Sequence, residues 1–468
     1  MWGKDKKIFN NILESIGNTP LVKLNRMAKG IESTVLVKLE FFNPGGSVKD
    51  RIGISMIEDA EEQGLIRPGY TIVEPTSGNT GLGLAMAALV KGYKMIFTIP
   101  DKMSTEKINL LKAFGARVII TPTEVPPDHP SGYVKVAEKI SKEEPNTFMP
   151  NQYFNPANPE IHYRTTGPEI WEQTEGRINV LVAGIGTGGT ITGVGKYLKE
   201  KNPKIKIVGV DPEGSLYHHR FYETKGEIHS YKVEGIGEDF MPSTVDLKVI
   251  DEIVVVSDTD AFQTARSLAA EEGIFAGGSA GAAVYAALNV AKKLNKDQIV
   301  VAILPDTGRN YLTKIYSDEW MCEHGFMESS EERISVKEIL KMKPRRIRKV
   351  IFVRPDDKIK TAISLMMEHD ISQLPVLKDE VQVGSVTEKN LAEKLCKLCG
   401  TEKELCEELC ELKIEEVMDP PLPVINMEDS ILNPFLLLKD RSAVIVLKDK
   451  QIIDIITTID VINYLIRR

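Results

Sequence analysis

Residues 180–193 read VLVAGIGTGGTITG, an apolar run followed by a glycine-rich turn and the start of a helical pattern. Such an apolar run predicts a buried strand, and a strand that feeds a helix through glycines is typical of a parallel α/β sheet. The exposed amides of such a turn can surround a phosphate group. The residues predicted to do so are Gly186, Thr187, Gly188, Gly189 and Thr190.

The same turn contains the spacing GxGxxG at Gly184, Gly186 and Gly189, which also occurs in dinucleotide-binding folds. We disfavour that interpretation because the strand lies deep in the chain. The acidic residue expected about 20 residues later is also ambiguous, with Asp211 as the nearest candidate.

Outward from this turn, short β-branched runs alternate with helix-length apolar patterns between Leu21 and Ile315. This alternation predicts an α/β domain built on largely parallel sheets, with ligands bound at the glycine turns that open helices. The predicted strands are 34–39, 94–99, 117–121, 180–183, 206–210 and 298–304.

The sequence after Trp320 changes character and contains an internal repeat. One copy alone is too small to bury its apolar faces, so the two copies are expected to pack as a pair. The matching segments are 336–341 with 414–419, 356–369 with 427–440, and 384–391 with 454–461. The predicted limits are 1–327 for the α/β domain, 328–335 for a linker, 336–398 and 412–468 for the two copies, and 399–411 for the segment between them.

The net charge and the apolar content of the chain indicate which kinds of partner it binds. The formal net charge of −8 argues against nucleic acid or an anionic membrane as the main partner, because phosphate groups attract basic surfaces. The chain lacks an apolar stretch of about 18 residues and a secretory signal pattern, so a cytoplasmic location without membrane attachment is expected.

Four of the five cysteines lie close together, at Cys396, Cys399, Cys406 and Cys410. Their spacing is compatible with a zinc site. It also places all four on one helical stripe beside leucines, which indicates buried thiols. We favour burial and expect no metal, because structural zinc pairs usually lie on turns.

Three further motifs carry side chains suited to chemistry. NPGGSVKDR at 43–51 places Lys49 after a glycine turn at the start of an apolar helix, where desolvation and the helix dipole favour the neutral, nucleophilic amine. A surface lysine in a capping turn would have the same local sequence. TSGNTG at 76–81 indicates a carboxylate-binding turn or a capped helix start, and GGSAG at 277–281 places Ser279 to donate to a ring nitrogen or to begin a helix.

These motifs occur in the order NPGGSVKDR, TSGNTG, GTGGT and GGSAG within residues 8–325. In that order they resemble the fold-type II pyridoxal-phosphate (PLP) enzymes, in the branch of the cysteine synthases and cystathionine β-synthases. The resemblance implies two α/β subdomains with largely parallel sheets, PLP as cofactor, and Lys49 as both Schiff-base lysine and catalytic base. It implies that Asn79 contacts the 3′ oxygen, that 186–190 hold the phosphate and that Ser279 faces the pyridine nitrogen. The residues implied to bind substrate are Thr76, Ser77, Thr80, Gln152 and Gly235.

Segments 40–51, 101–107, 233–240 and 305–314 resemble the cystathionine β-synthase side of this branch, and the repeat pair is similar to a tandem CBS-domain (Bateman) module. The implied activity is that of a PLP-dependent lyase of transsulfuration and cysteine biosynthesis, which condenses L-serine with L-homocysteine, in a homodimer or larger homo-oligomer. Cysteine synthesis from O-acetylserine or serine with sulfide is the alternative, and a dehydratase shares the fold. A different class would be an adenosyl-ligand sensing protein with a degenerate catalytic half.

Two departures from the family pattern stand out. Glu238 follows EGIG where eukaryotic members usually have tyrosine, which bears on the site of the second substrate. The extension that carries a cysteine and histidine pair for haem is not found ahead of the catalytic pattern, so no haem is expected.

The second repeat copy suggests a regulatory site. In IITTIDV at 455–461, Thr457 and Asp460 place a hydroxyl and a carboxylate where a ribose diol could be held, although Asp460 could equally cap its helix. The first copy has Asn390 at the matching position, so one site per chain is expected. The resemblance implies S-adenosylmethionine as ligand, with ATP or AMP as alternatives.

Overall fold

The computed structural model describes residues 8–76, 78–101, 103, 105–122, 125, 129–328, 334–343, 350–392, 411–431, 443–449 and 451–467. The chain divides into two compact units between Met327 and Glu328. No helix in these ranges is long and apolar enough to cross a membrane.

The first unit contains two sheets. Its strands are β1 (Leu21–Lys23), β2 (Thr34–Leu39), β3 (Thr71–Pro75), β4 (Lys94–Pro100), β5 (Arg117–Thr121), β6 (Thr147–Phe148), β7 (Val180–Gly184), β8 (Lys206–Pro212), β9 (Glu252–Val256) and β10 (Ile299–Leu304). The larger sheet has the order β1-β2-β10-β7-β8-β9 and the smaller one β5-β4-β3-β6. Every pairing is parallel except that of β1 with β2. The predicted α/β fold with largely parallel sheets is confirmed.

Helices cover these sheets. They are α1 (Lys49–Glu62), α2 (Asn79–Lys91), α3 (Thr105–Ala113), α4 (Tyr133–Glu143), α5 (Ala157–Ile161), α6 (Gly167–Gln173), α7 (Gly189–Lys201), α8 (Tyr217–Phe221), α9 (Asp258–Ser267), α10 (Gly278–Ala291) and α11 (Asp318–Glu323). Two π-helical turns, His162–Thr166 and Leu268–Glu272, continue α5 and α9.

The central strand β7 shows why its sequence is apolar at consecutive positions. Val180 and Val182 pack into the core layer that includes α10, whereas Leu181 and Ala183 pack into the layer that includes α7. A strand covered by helices on both faces has no polar side to show in its sequence. The turn at its carboxyl end is thereby held by two packed layers.

Helices α1 and α2 pack closely in the smaller subdomain. A Cβ added to Gly53 would lie 2.3 Å from the backbone carbon of Gly83, so the two backbones approach to a distance that only glycine permits. This contact fixes the beginnings of α1 and α2 relative to each other. Both beginnings carry predicted site residues.

The second unit contains β11 (Ile334–Ser335), β12 (Gln373–Lys378), β13 (Val381–Thr387), β14 (Val424–Asn426), β15 (Ser430–Ile431), β16 (Ala443–Lys448) and β17 (Gln451–Thr457). Its helices are α12 (Val336–Met342), α13 (Ile359–His369) and α14 (Thr458–Arg467). The hairpins β12-β13 and β16-β17 each carry a register shift, between Val376 and Leu377 and between Val446 and Leu447. These shifts occupy matching positions in the two repeat copies.

The two copies exchange their leading segments. Val336 and Ile339 of α12, which begins the first copy, pack in one core with Val444, Val461 and other residues of the second. Conversely, Ile414 and Val417, which begin the second copy, pack in the core of the first. β11 also pairs with β15 across the copies. The prediction that the copies pack as a pair is consistent with this arrangement.

Candidate active site

Lys49 is the first residue of α1, at the end of a turn fastened to the central sheet. The turn is fixed because the Val48 amide donates to the Pro305 carbonyl oxygen over 2.8 Å, directly after β10. The Lys49 amide donates to Ser47 Oγ over 3.2 Å. The lysine is therefore held at the carboxyl edge of the parallel sheet, where such sheets bind ligands.

The Lys49 side chain reaches the predicted phosphate turn. Its Nζ donates to Thr187 Oγ1 over 3.3 Å. Burial lowers the pKa of Lys49 to about 8, and the Glu238 carboxylate opposes this shift. A lowered pKa makes the neutral amine far more abundant near neutral pH than in an ordinary lysine, as a Schiff-base lysine requires.

The phosphate turn joins β7 to α7 and is shaped by close contacts. Gly188 has a φ of +78°, and a Cβ added there would lie 2.1 Å from Val245 Cγ2. A Cβ on Gly189 would lie 1.9 Å from Asn158 Oδ1, and one on Gly186 would lie 2.4 Å from the Gly235 carbonyl oxygen. These glycines leave the backbone amides uncovered, so the turn fits a phosphate group.

Neutral polar groups surround this turn. The Thr187 hydroxyl oxygen also accepts a hydrogen bond of 3.0 Å from Asn158 Nδ2. Thr190 Oγ1 lies 3.2 Å from His162 Nε2. Burial lowers the pKa of His162 to about 3, with the Arg51 guanidinium adding to the effect, so this imidazole is neutral. The His162 ring beside Thr190 therefore brings no positive charge to the phosphate turn.

We expect Gly188→Ala to weaken PLP binding by at least about tenfold, because the added methyl group must displace either Val245 or the turn. Titration of the apoenzyme with PLP, followed by absorbance, measures this. Gly115→Ala is the matched control, since Gly115 also has a positive φ, +80°, but has nothing within 4 Å of an added Cβ. Equal PLP affinities in the two variants would contradict the prediction.

Asn79 begins α2 and contacts a carboxylate that the sequence did not single out. Asn79 Nδ2 donates to Asp306 Oδ2 over 2.8 Å, and the Tyr311 hydroxyl donates to the same oxygen over 2.7 Å. Asp306 is buried, its Oδ1 has no hydrogen-bond partner in the described structure, and burial raises its pKa. The position of Asp306 directly after the central strand β10 is the signal that could have revealed it.

Ser279 is the second residue of α10 and is almost completely buried, with 3% of its surface exposed. Within the described ranges its hydroxyl donates to no other residue. The preceding turn is joined to Asp306, whose carbonyl oxygen accepts from the Gly277 amide over 3.0 Å. A buried hydroxyl with an unused donor fits the predicted contact with a ring nitrogen.

The structure brings two of the predicted substrate residues together. Thr80 Oγ1 donates to Gln152 Oε1 over 2.6 Å. The Gln152 amide donates to Glu74 Oε1 over 3.0 Å. Burial raises the pKa of Glu74 to about 7, although the Gln152 and Asn151 amides oppose that shift. Thr80 and Gln152 thus form one polar group, next to the carboxyl end of β3.

Thr76 has a different local role. Its Oγ1 accepts hydrogen bonds of 3.0 Å from the amides of Gly78 and Gly81, so it caps the start of α2. Its predicted contact with substrate stays a prediction. Ser77 lies outside the described residues.

Gly235 lies in a loop that covers the phosphate turn. It has a φ of +87°. Two residues later, the Gly237 amide donates to the Ile185 carbonyl oxygen over 2.6 Å. The loop that contains the unusual Glu238 is therefore attached directly to the turn that contains Thr187.

A cluster of buried charged side chains surrounds Arg51, in the first turn of α1. Arg51 Nε is 2.8 Å from Glu40 Oε2, and Arg51 NH1 is 2.7 Å from Glu169 Oε1. Lys38 Nζ is 2.7 Å from Glu169 Oε2. The side chain of Arg51 is 2% exposed and that of Glu40 is fully buried. The cluster ties the helix that begins with Lys49 to β2 and α6.

In the second unit, Thr457 and Asp460 are in contact. The amide and hydroxyl of Thr457 donate to Asp460 Oδ2 over 2.9 Å and 2.8 Å, which is a helix cap at the start of α14. Lys343 Nζ lies 3.8 Å from the same oxygen. In the first copy, the Asn390 amide donates to Thr387 Oγ1 over 3.1 Å. The contacts present are those of the capping alternative, and the adenosyl site stays a prediction.

The cysteines that could bind zinc belong to a segment outside the described ranges. Cys396, Cys399, Cys406 and Cys410 all lie outside the described residues. Within the described ones, no group of three or more potential ligands could hold a metal ion, and Cys322 is a free, buried thiol.

Comparison with known families identifies both units. The family model for pyridoxal-phosphate dependent enzymes matches residues 12–306, and the model for the CBS domain matches residues 336–397 and 414–467. The first unit is thus a fold-type II PLP-dependent enzyme, a class whose cofactor fits the uncovered amides of the phosphate turn and the lowered pKa of Lys49. A pair of CBS domains follows it.

Curated relatives narrow the class. Cystathionine beta-synthase of Dictyostelium discoideum is 41% identical over 99% of this chain and 93% of its own length. The enzyme of that name from Saccharomyces cerevisiae is 42% identical over 82% of this chain and 81% of its own. The chain belongs to the cystathionine beta-synthase family.

Solved structures of similar proteins cover the first unit. An O-acetylserine dependent cystathionine beta-synthase from Helicobacter pylori is 40% identical, with a TM-score of 0.62, over 66% of this chain and all of that one. A cysteine synthase from Entamoeba histolytica is 38% identical, with a TM-score of 0.63, over 68% of this chain and 93% of that one. The resemblance stated from the sequence motifs is confirmed.

Proposed function

We propose that this protein condenses L-serine with L-homocysteine to form L-cystathionine in a PLP-dependent β-replacement. The observation that carries the proposal is the Lys49 amine, whose pKa is lowered to about 8 and which donates to Thr187 in the phosphate turn. Relatives along nearly the whole chain bear the name of this activity. An intact lysine and phosphate turn speak against a degenerate catalytic half that serves only as a sensor.

The roles of the residues follow from their positions. When bound, PLP supplies an electron sink for the negative charge left when serine loses its α-proton. Lys49 Nζ would hold the cofactor, and its amine would also serve as the base that accepts the α-proton. Thr80 and Gln152, which already contact each other, bind the serine carboxylate. The Ser279 hydroxyl is neutral, so it does not hold a proton on the ring nitrogen as a carboxylate would.

Mass spectrometry of the products tests this proposal. Purified enzyme is given serine with homocysteine, serine with sulfide, and O-acetylserine with sulfide, in separate reactions. We expect cystathionine from the first pair at the highest kcat/KM. Cysteine as the preferred product would support the alternative, a cysteine synthase, which the solved relative from Entamoeba histolytica represents.

We further infer which part of the chain carries each function. Residues 1–327 would carry catalysis, and the copies at 336–398 and 412–468 would bind a regulatory ligand. The family resemblance also implies a homodimer or larger homo-oligomer. We likewise infer a cytoplasmic location.

A further inference from the structure

Glu238 is fixed in position by its own backbone. Its amide donates to Ser215 Oγ over 3.0 Å, and its carbonyl oxygen accepts from the Leu216 amide over 2.9 Å. The neighbouring Gly237 amide donates to the Ile185 carbonyl oxygen over 2.6 Å, directly beside the phosphate turn. A side chain on a loop anchored at three points keeps one location relative to the bound cofactor.

Residues at and after the end of β8 help to hold the loop that carries Glu238. Asp211, at the carboxyl end of β8, accepts from the His218 amide over 2.8 Å and so holds the start of α8. In that helix the Tyr217 hydroxyl donates to the Gly186 carbonyl oxygen over 2.5 Å. The phosphate turn and the residues that hold Glu238 are thus parts of one hydrogen-bonded assembly.

The Glu238 carboxylate is a half-buried negative charge close to the reacting amine. It interacts electrostatically with Lys49, against the dominant effect of burial on the pKa of that lysine. The Tyr153 hydroxyl hydrogen-bonds to the carboxylate, and burial together with Glu238 raises the pKa of Tyr153 well above its usual value. Burial, and then Glu238, likewise raises the pKa of Tyr133 to about 12. Both phenols are therefore neutral, and the Tyr153 hydroxyl orients the carboxylate.

An aromatic surface borders this carboxylate. The rings of Tyr153 and Phe240 lie 5.1 Å apart, and those of Phe154 and Phe240 lie 6.4 Å apart in a stacked arrangement. Phe154 is 53% exposed and Phe240 is 36% exposed. A carboxylate beside exposed aromatic rings attracts an organic ammonium group and disfavours a small anion.

We propose that Glu238 selects, as second substrate, a thiol that carries an ammonium group, and so favours an amino-acid thiol over inorganic sulfide. The inference rests on the proposed β-replacement and names the residue that chooses its acceptor. The carboxylate forms a charge-assisted contact with the ammonium of the incoming thiol, whereas it repels hydrosulfide, which is an anion at neutral pH. Glu238 acts here as a determinant of specificity.

The test compares acceptors that differ in one group. Homocysteine and 4-mercaptobutyrate share the thiol, chain length and carboxylate, but only homocysteine carries the ammonium. We expect Glu238→Gln to lower the ratio of their kcat/KM values by about ten- to hundredfold, the usual contribution of a hydrogen bond to a charged group. The KM for serine should change by no more than about twofold, since it does not depend on that contact. The kcat/KM for sulfide should stay the same or rise, because the variant removes the repelling charge.

Asp239→Asn is the matched control, because it removes the same charge from the adjacent, exposed residue. Its ratio should stay within about twofold of the wild type, as expected for a solvent-screened charge. Absorbance of the lysine-bound cofactor and the thermal midpoint show that both variants are folded and loaded.

Three results would overturn the inference. The first is an unchanged ratio in Glu238→Gln while cystathionine still forms, and this result leaves the proposed function standing. The second is a parallel fall in the kcat/KM for sulfide. The third is a wild-type enzyme that forms no thioether from any thiol, which would end the proposed function as well.

Discussion

Lys49→Ala is expected to abolish turnover, with a loss of at least about 10³-fold, and to remove the visible absorbance band of the lysine-bound cofactor. The effect is large because one amine both holds the cofactor and accepts the α-proton. No other described lysine forms a hydrogen bond with the phosphate turn, as Lys49 Nζ does with Thr187 Oγ1. Steady-state kinetics and an absorbance spectrum of the purified variant measure both losses.

Two variants serve as controls for this prediction. Lys49→Arg keeps a positive charge at the site but cannot attach the cofactor, so it should fail in the same way. Lys94→Ala alters an exposed lysine at the start of β4 and should match the wild type in both measurements. A persistent absorbance band in Lys49→Ala would mean that another amine holds the cofactor.

Arg51→Ala is expected to lower the free energy of unfolding of the first unit by about 3–5 kcal/mol. Removal of the guanidinium leaves the buried Glu40 carboxylate without the cation that lies 2.8 Å away, and it deprives Glu169 of one of its two cations. Because the chain has two units, unfolding should be followed through the absorbance of the bound cofactor, which reports on the first unit alone.

Arg164→Ala provides the comparison. Arg164 Nε lies 2.6 Å from Glu160 Oε1, a shorter contact than either of those of Arg51, but its side chain is 69% exposed. An exposed pair four residues apart in a helix contributes about 0.3–0.5 kcal/mol. If the two variants were equally destabilised, burial would not be the source of the difference.

The sequence revealed the strands that are buried on both faces. β7 is apolar at nearly every position, and every residue of β8 after Lys206 is buried; both strands were predicted. β9, at the edge of the larger sheet, was not predicted, although its residues 253–256 are all β-branched; Val255 is 40% exposed. β6 has only two residues and exists because of its parallel pairing with β3. Such a strand depends on contacts that its own sequence does not encode.

The residues of the candidate site likewise differ in how far the sequence alone can indicate them. Lys49, Asn79 and the phosphate turn could be proposed from the sequence because each lies in a glycine-rich turn that begins a helix, a pattern contained in a few consecutive residues. Asp306 was missed as a site residue because its partner Asn79 is 227 positions away in the chain. The substrate contact implied for Thr76 stays a prediction. Its oxygen accepts two local amides, contacts that depend on backbone geometry.

The exchange of leading segments between the CBS copies has a consequence for biosynthesis. Helix α12 leaves the ribosome long before β16 and α14, whose Val444 and Val461 complete its core. The hydrophobic face of α12 therefore stays uncovered until the second copy has been translated. A nascent chain gains the packing of this unit only after both copies have emerged. A stop codon between the copies would leave α12 without its packing partners and the core of the first copy without Ile414 and Val417.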